Sequence, residues 1–452
     1  MKKVLLIDPI YNPGTIPPNI PLSKIASGLE ACGVAVDVMD FVRPDCEEKN
    51  LSYFRDAEKN FLEKIESSVL NYDVVYITTG TGNELKPYPV YPRIKAIAKA
   101  IKNVKNIQVI VGGALINLYV RVYKMNPDIL CGEVIDELAV GNEYHSAMQL
   151  IVEGVFPQSV NPLWSVWDNT KYPDYKSVQY HVGCPYLCDF CFEGKIYNGN
   201  SSSDNLNDFL SSIEVGDKII VEDSVLMSYR DFDEIMDGFA NKNIKFSAYA
   251  RISEVIKEPA KIAKMRSAGC QSVIVGIETL DNEVLKGHNK NIVSSETRLG
   301  LDILKDNHID VQGCFMLGFP EDSLKNMERT IAFAIDENLN GYRWHIYQPN
   351  YTNMNKNFYP QRISAYDHLL VQVNIPDSCL CEIVNELPEI GKLDEHFMIR
   401  GKNNLLPELF ANIGYGNSFS YRDVKLLIDK MFPKNWILNE ESLYKYLFKT
   451  QV

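Results

Sequence analysis

The sequence predicts an α/β protein with two parallel-sheet domains followed by a mainly helical segment. Short β-rich runs alternate with amphipathic helical stretches up to residue 155, and the same alternation resumes after residue 175. This rhythm is lost after Gln348. A chain of 452 residues also exceeds what one hydrophobic core usually supports, so several domains are expected.

Residues 1–155 are predicted to form a Rossmann-like domain. Its apolar runs are short enough for strands, and the stretches between them have helical periodicity. The predicted strands are Val4–Asp8, Val34–Asp40, Val74–Thr79 and Ile107–Gly113, and the predicted helices are Leu22–Cys32, Ala57–Tyr72 and Tyr91–Lys102.

Small and polar residues follow three of these strands, at the edge where open α/β sheets bind ligands. The loops run from Pro9 to Gly14, from Thr78 to Asn83 and from Gly112 to Ala114. Glycine there lets the backbone approach a ligand closely because no Cβ intervenes. The same loops also fit ordinary turns into helices, so both interpretations stay open.

Residues 156–175 are rich in Pro, Trp and Asp and are predicted to be a linker. Residues 176–349 then contain about six βα units, which predicts a partial (β/α)6 barrel of the TIM type. Its predicted strands are Ser177–His181, Lys218–Val221, Lys245–Tyr249, Ser272–Gly276, Asp310–Leu317 and Tyr342–Tyr347. Residues 350–452 are expected to be mainly helical, to close the open barrel and to contact substrate.

Composition argues against several classes of protein. A net charge of -13 disfavours a nucleic-acid surface, which needs clustered Lys and Arg. No stretch approaches the roughly 18 to 20 apolar residues of a spanning helix. Without a signal peptide or lipidation motif, we expect a cytoplasmic protein with no membrane partner. The ten cysteines are therefore expected to be reduced thiols, some of which could hold a metal.

Three of the cysteines are spaced C-x3-C-x2-C: Cys184, Cys188 and Cys191. Gly183 and Pro185 predict a tight loop there, at the carboxyl end of the first barrel strand, where such barrels carry out chemistry. Three thiolates can hold three irons of a cubane cluster and leave the fourth iron open. Two alternatives stay open: His181 could complete a Cys3His zinc site, or the cysteines could be structural.

With the aromatic Phe190 before its last cysteine, this run resembles the signature of the radical S-adenosylmethionine (SAM) superfamily. The resemblance extends from about Ser177 to Pro349. It implies a [4Fe-4S] cluster on the three cysteines and SAM at the open iron, cleaved with one electron from an external donor such as flavodoxin or ferredoxin. Only Cys379 and Cys381 follow the barrel, so a single cluster is expected.

The resemblance also implies which residues bind SAM, among them Phe190. Glu222 and Asp223, after the second barrel strand, match the position that holds the ammonium group. Arg251 matches an arginine that pairs with the carboxylate, for which a guanidinium fork is well suited. Glu278, in a Gly-Ile-Glu run, matches the ribose-binding residue. An acidic solvated turn and a surface ion pair are the alternatives for the acidic pair and for Arg251.

The amino-terminal domain resembles the cobalamin-binding domain found ahead of some radical SAM barrels. The residues that the resemblance places at cobalamin are Thr78, Thr79, Gly80, Gly82, Gly112, Gly113 and Glu133. The Asp-x-His-x-x-Gly motif, which supplies a lower-axial histidine to cobalt, is absent, since the first histidine is His145. This absence excludes histidine ligation but not cobalamin.

Together the resemblances imply methylation of an unactivated carbon in a small-molecule or natural-product substrate. Along the last barrel strand lie Tyr342, Trp344, His345 and Tyr347, which alternate in direction and could line the substrate cavity or pack the core. The alternative reaction is a cyclisation, dehydration or epimerisation without methyl transfer. A third interpretation is a non-catalytic cluster protein, but it leaves Glu222, Arg251 and Glu278 without a purpose.

Overall fold

The computed structural model describes residues 2–12, 17–42, 51–80, 90–122, 126–171, 175–191, 193–319 and 321–346. These residues fall into two compact units, divided at residues 172 and 173. No helix in these ranges is both long and apolar enough to cross a membrane. The expectations for residues 350–452 lie outside the described residues.

The first unit contains a five-stranded parallel sheet. In chain order its strands are β1 (Lys3–Asn12), β2 (Ala35–Val42), β3 (Val74–Thr78), β4 (Gln108–Gly112) and β5 (Glu137–Ala139). They lie in the order β2-β1-β3-β4-β5. Successive strands are therefore added on one side of β1 and then on the other, and the strand order reverses between β1 and β3. In doubly wound folds of this order, ligands bind at the carboxyl ends of the strands next to that reversal.

Helices connect these strands as the sequence predicts, with one extra strand. The helices are α1 (Ile20–Ala31), α2 (Leu51–Ser68), α3 (Val90–Val104), α4 (Ala114–Asn117), α5 (Pro127–Cys131) and α6 (Glu143–Ile151). Asn19 begins α1 by accepting a hydrogen bond from the Leu22 amide at 3.0 Å, as N-cap residues do. β5, a strand of only three residues, was not predicted.

The segment predicted as a linker packs against the first unit. Trp167 is 4% exposed and belongs to the same core cluster as Leu22 and Ile25 of α1. Its indole Nε1 donates to Ser23 Oγ at 2.8 Å. Burial of the indole, together with this hydrogen bond, anchors the segment to the sheet domain.

The second unit contains a six-stranded, all-parallel sheet with helices between the strands. Its strands are β6 (Lys176–Val178), β9 (Lys218–Val221), β10 (Lys245–Ala250), β11 (Cys270–Glu278), β12 (Asp310–Leu317) and β13 (Gly341–Ile346), adjacent in that order. Its helices are α7 (Glu193–Ile196), α8 (Leu206–Ser211), α9 (Phe232–Asn241), α10 (Ile252–Lys257), α11 (Pro259–Ser267), α12 (Asn282–Gly287), α13 (Ser294–Asp306) and α14 (Leu324–Glu337). The predicted α/β class and six-stranded barrel sheet are confirmed.

The first barrel strand is shorter than predicted. It ends at Val178, and His181 begins a separate ribbon in which β7 (His181–Gly183) pairs antiparallel with β8 (Ser201–Ser203). Asp223 Oδ1 accepts from the amides of Tyr180 at 2.9 Å and His181 at 3.2 Å, which satisfies backbone donors at this break. The cysteine run therefore follows β7, the first strand of the ribbon, and not the barrel strand itself.

Candidate functional site

The cysteine run forms a compact loop between β7 and α7 that only glycine permits at two positions. Gly183 has a φ of +101°, and a Cβ there would lie 2.3 Å from the Asn200 carbonyl oxygen. A Cβ on Gly194 would lie 2.0 Å from the Tyr186 carbonyl oxygen. The loop backbone is therefore pressed against the ribbon and against the first turn of α7.

The three thiols of this loop are buried or half-buried. Burial, followed by Glu193 and the other two thiols, raises the pKa of Cys191 to about 12. Burial also raises the pKa of Cys184. Within the described ranges, no three His, Cys, Asp or Glu side chains are arranged as a metal cage. The loop thus groups three thiols, and metal ligation requires thiols to lose their protons.

Arg251 supplies positive charge to this loop. It lies directly after β10, where Nη1 donates to Cys188 Sγ at 3.5 Å and Nη2 donates to the Lys290 carbonyl oxygen at 3.0 Å. Its guanidinium lies 3.7 Å from the centre of the Tyr186 ring, a cation–π contact. Its Nε is buried without a partner among the described residues. Arg251 is therefore not a surface ion pair, and within the described part of the chain its Nε remains an available donor.

Glu278 lies at the end of β11 in a buried ion pair. Its Oε1 lies 2.7 Å from Lys290 Nζ, and both side chains are less than 10% exposed. Gly276 makes room for the pair, since a Cβ there would lie 2.5 Å from Glu278 Oε1 and 2.7 Å from Lys290 Nζ. A bulge follows Gly276, and Glu278 itself has a φ of +65°. The pairing of Lys290 with Glu278 was not predicted from the sequence.

The segment 288–290 ties this pair to the cysteine loop. The Asp189 amide donates to the His288 carbonyl oxygen at 3.0 Å, and Cys188 Sγ lies 3.7 Å from the Asn289 carbonyl oxygen. The ring of Phe190, the predicted aromatic of the motif, packs edge-on against Phe319 at 6.1 Å between centroids. Loop, lysine and arginine therefore form one packed region.

The acidic pair after β9 is engaged within the protein. Glu222 Oε1 accepts from Ser177 Oγ at 2.9 Å. Asp223 is fully buried, and its Oδ1 serves the two backbone amides at the ribbon. The assignment of the SAM ammonium to these two residues therefore stays a prediction. In the structure, Glu222 Oε1 and Asp223 Oδ1 accept hydrogen bonds from within the protein.

His181, which a zinc site would require, faces Tyr229. The two rings stack with centroids 3.2 Å apart, and His181 Nδ1 lies 4.0 Å from Asp223 Oδ2. Burial lowers the pKa of His181 to about 4. No described contact joins this ring to a cysteine, and the donor set of the loop is three sulfurs, the set that iron–sulfur clusters use.

The predicted cobalamin loops of the first unit meet at the carboxyl ends of β3 and β4. Thr78 Oγ1 accepts from the Gly80 amide at 3.1 Å, and Thr79 Oγ1 accepts from the Leu115 amide at 3.1 Å. A Cβ on Gly113 would lie 2.5 Å from Thr79 Oγ1, and one on Gly112 would lie 2.1 Å from the Tyr76 hydroxyl. The threonine hydroxyls thus hold the loops in place by hydrogen bonds to loop amides. At Gly112 and Gly113 the loops have only backbone to offer a ligand.

A buried carboxyl at this edge was missed by the sequence analysis. Glu143 begins α6, and its Oε1 accepts from Thr78 Oγ1 at 2.7 Å and from Tyr76 OH at 2.9 Å. Desolvation raises its pKa to about 7. Glu133, predicted as a cobalamin residue, is exposed in the turn after α5, and that assignment stays a prediction. Each of the two glutamates follows a glycine, Gly132 before Glu133 and Gly141 before Glu143. The local sequence therefore does not show which of them is buried.

The remaining predicted residues are only partly described. Tyr342 is 8% exposed in β13, and its ring lies 6.5 Å from the Phe315 ring, centroid to centroid. The backbone of Trp344 lies in the same strand. Gly82 and Tyr347 lie outside the described residues, so their assignments stay predictions.

Comparison with known protein families identifies the second unit. Residues 178–334 match the model of the Radical SAM superfamily. The matched segment covers β9 to β12 in full, together with the cysteine loop, Arg251 and Glu278. The chain therefore contains a radical SAM domain, and the predicted [4Fe-4S] cluster and SAM are the cofactors of such a domain.

Curated relatives resemble part of the chain at low identity. Bacteriochlorophyllide d C-12(1)-methyltransferase of Chlorobaculum tepidum is 22% identical over 61% of this chain and 63% of its own length. Anaerobic magnesium-protoporphyrin IX monomethyl ester cyclase of Rubrivivax gelatinosus is 22% identical over 42% of this chain and 37% of its own length. The chain thus matches less than two thirds of either relative.

Two solved structures share the fold across both units. The radical SAM methyltransferase TsrM from Kitasatospora setae, solved with cobalamin and a [4Fe-4S] cluster, has a TM-score of 0.55 at 16% identity and covers 77% of this chain and 76% of its own. The cobalamin-dependent SAM radical enzyme OxsB, solved with aqua-cobalamin and SAM, has a TM-score of 0.53 at 14% identity and covers 82% of this chain and 55% of its own. The Rossmann-like first domain ahead of a radical SAM barrel is thereby confirmed as a fold.

Proposed function

We propose that the chain is a cobalamin-binding radical SAM enzyme that methylates an unactivated carbon of a small-molecule or natural-product substrate. The observation that carries this proposal is the cysteine loop with Arg251 Nη1 3.5 Å from Cys188 Sγ. A buried guanidinium beside thiols lowers the cost of their ionisation, as cluster ligation requires.

Different residues of the second unit would bind the two cofactors of the domain, the [4Fe-4S] cluster and SAM. Cys184, Cys188 and Cys191 would hold the cluster, and Arg251 would pair with the SAM carboxylate through its buried Nε. Glu278, fixed by Lys290, would accept hydrogen bonds from ribose hydroxyls. When bound, the cluster passes one electron from an external reductant such as flavodoxin or ferredoxin to SAM, which breaks a carbon–sulfur bond.

Cobalamin binding by the first unit has two kinds of support. Its fold is that of structures solved with cobalamin, and its glycine loops lie at the carboxyl edge where doubly wound sheets bind ligands. Backbone of Gly80, Gly112 and Gly113 would approach the corrin, while Thr78 and Thr79 hold those loops in place. Bound cobalamin would carry the methyl group from SAM to substrate.

A second candidate reaction is ring closure without methyl transfer. It is favoured by the similarity to the magnesium-protoporphyrin ester cyclase, which covers 42% of this chain. In that reaction the same cysteines, Arg251 and Glu278 would generate the radical, and no methyl group would leave SAM.

The test is anaerobic purification and reconstitution, with iron, sulfide and corrinoid quantified together. We expect about four iron and four sulfide per chain, as one cubane cluster requires, and retained corrinoid absorbance after desalting. Dithionite and SAM should then yield 5′-deoxyadenosine, and a Cys188→Ala variant should yield none. Colourless protein that holds zinc and makes no deoxyadenosine would refute the radical SAM function.

Methyl transfer can be tested before the substrate is known. Reduced, corrinoid-loaded enzyme given SAM with a deuterated methyl group should form deuterated methylcobalamin and S-adenosylhomocysteine. Corrinoid retention without methylcobalamin would overturn the methylation proposal in favour of ring closure or another rearrangement.

A further inference from the structure

A buried carboxylate near the cysteine loop has one oxygen without a partner. Glu254, in the first turn of α10, is 6% exposed. Its Oε1 accepts hydrogen bonds from Tyr186 OH at 3.1 Å and from Ser228 Oγ. Its Oε2 is buried and makes no hydrogen bond to any described residue.

This arrangement is costly unless a ligand completes it. Removing a carboxylate from water is unfavourable unless a cation or several donors replace the lost water. No described lysine, arginine or histidine lies within 4.0 Å of Glu254, so the charge has no direct ion-pair partner in this part of the chain. The hydroxyls of Tyr186 and Ser228 fix the orientation of the carboxyl group through Oε1. Oε2 is left to accept from another donor.

The neighbours of Glu254 indicate where that donor comes from. Tyr186, which donates to Oε1, lies between Cys184 and Cys188, and its ring packs under the Arg251 guanidinium. Arg251 Nε and the hydroxyl of Tyr229, itself 7% exposed, are likewise buried without partners among the described residues. One acceptor oxygen and an arginine N–H beside a cysteine loop match the two ends of an α-amino acid, an ammonium and a carboxylate.

We infer that Glu254 Oε2 accepts a hydrogen bond from the α-ammonium group of SAM, with Arg251 Nε donating to the α-carboxylate. This inference rests on the proposed function, because it assigns the methionine end of SAM to the same site. It differs from the predicted assignment of the ammonium to Glu222 and Asp223, whose Oε1 and Oδ1 accept hydrogen bonds from Ser177 and from the ribbon backbone. The sulfonium is not the partner, because it has no N–H to donate.

The first test compares two Glu→Gln variants at α10 by anaerobic calorimetry of SAM binding to the reconstituted enzyme. Glu254→Gln should weaken SAM binding about 10- to 100-fold, as expected for a lost charge-assisted hydrogen bond. Glu258→Gln is the matched control, because Glu258 is partly exposed and pairs only with Lys261 among its described ion-pair partners. Equal SAM affinity in both variants would overturn the inference.

Three ligands separate the ammonium contact from general damage to the site. Decarboxylated SAM keeps the ammonium and should lose affinity in Glu254→Gln by the same factor as SAM. 5′-Methylthioadenosine has neither amino-acid group, so its affinity should not change. A uniform loss for all three ligands would show that Glu254 is only structural.

Two milder variants cover the case in which Glu254→Gln does not fold. Tyr186→Phe and Ser228→Ala each remove one donor to Oε1 and keep the carboxylate, so SAM affinity should fall by less than about tenfold, with 5′-methylthioadenosine unaffected. Unchanged SAM binding in both would count against the inference. Wild-type enzyme that binds no SAM would instead refute the proposed function.

Discussion

Lys290 contacts both residues that are predicted to bind SAM at this site, Glu278 and Arg251. Its ammonium lies 2.7 Å from Glu278 Oε1 in a buried position, and its own carbonyl oxygen accepts from Arg251. The lysine therefore fixes the predicted ribose-binding carboxylate and contacts the arginine of the cysteine loop. Without it, Glu278 would be a buried charge with no cation.

We expect Lys290→Met to destabilise the second unit by about 3 to 5 kcal/mol, the usual cost of removing one partner from a buried ion pair. Urea unfolding of the cluster-free protein measures this. Lys286→Met is the control, since Lys286 is exposed in the same region. The double variant Glu278→Gln/Lys290→Met should recover part of the loss, and a single variant as stable as Lys286→Met would disprove the role of the pair.

Glu143 gives the first unit a pH-dependent stability. Its pKa is raised to about 7 from an ordinary 4.5 by desolvation, so folding favours the protonated acid. The stabilisation is complete below about pH 4.5 and is lost as the pH rises through 7. Relative to Glu143→Gln, the wild-type protein should therefore become less stable between pH 5 and pH 8.

Thermal unfolding of both proteins across this range checks the prediction. The melting temperature of the wild type should fall relative to Glu143→Gln by several degrees, since about 1 kcal/mol shifts a unit of this size by about 2 to 4 °C. Glu133→Gln should follow the wild type at every pH, because Glu133 is exposed. Parallel curves for wild type and Glu143→Gln would show that the buried acid does not titrate.

At the scale of elements, the cysteine loop depends on close backbone packing more than on its spacing. A Cβ on Gly194 would overlap the Tyr186 carbonyl oxygen at 2.0 Å, between two of the thiols. We expect Gly194→Ala to displace this part of the loop and to lower reconstituted iron at least severalfold, with far-UV circular dichroism unchanged.

Gly287→Ala is the matched control for that variant. Gly287 ends α12, and a Cβ there meets nothing within 4 Å. Its iron content should equal that of the wild type. Equal iron in Gly194→Ala would mean that the loop tolerates displacement and that spacing alone determines cluster binding.

Strands were predictable from the sequence where their burial requires a recognisable run of apolar residues. β9 and β12 have the predicted bounds, and in β9 the apolar residues Ile219 to Val221 lie between Lys218 and Glu222. The end of β11 was not predictable, since its bulge and the positive φ of Glu278 arise from pairing with β12. Glu143 was missed for a related reason: its partners Tyr76 and Thr78 lie on β3, far away in sequence.

At the scale of the whole molecule, the two predicted cofactor sites belong to different units. The contacts described for the cysteine loop come from residues of the second unit, and those of the glycine loops come from the first. Defects in one site should therefore leave the other cofactor in place. The triple Cys184→Ala/Cys188→Ala/Cys191→Ala variant should lose iron and keep corrinoid.

The reciprocal variant is Gly113→Ala, whose Cβ would lie 2.5 Å from Thr79 Oγ1 at a φ of +107°. It should lose most of its corrinoid after desalting and keep its iron and its deoxyadenosine formation. Gly154→Ala carries the same backbone strain, with a φ of +108°, but meets nothing within 4 Å, so it should keep both cofactors. Loss of iron together with corrinoid in Gly113→Ala would show that the two sites depend on one another, because the substitution touches only the first unit.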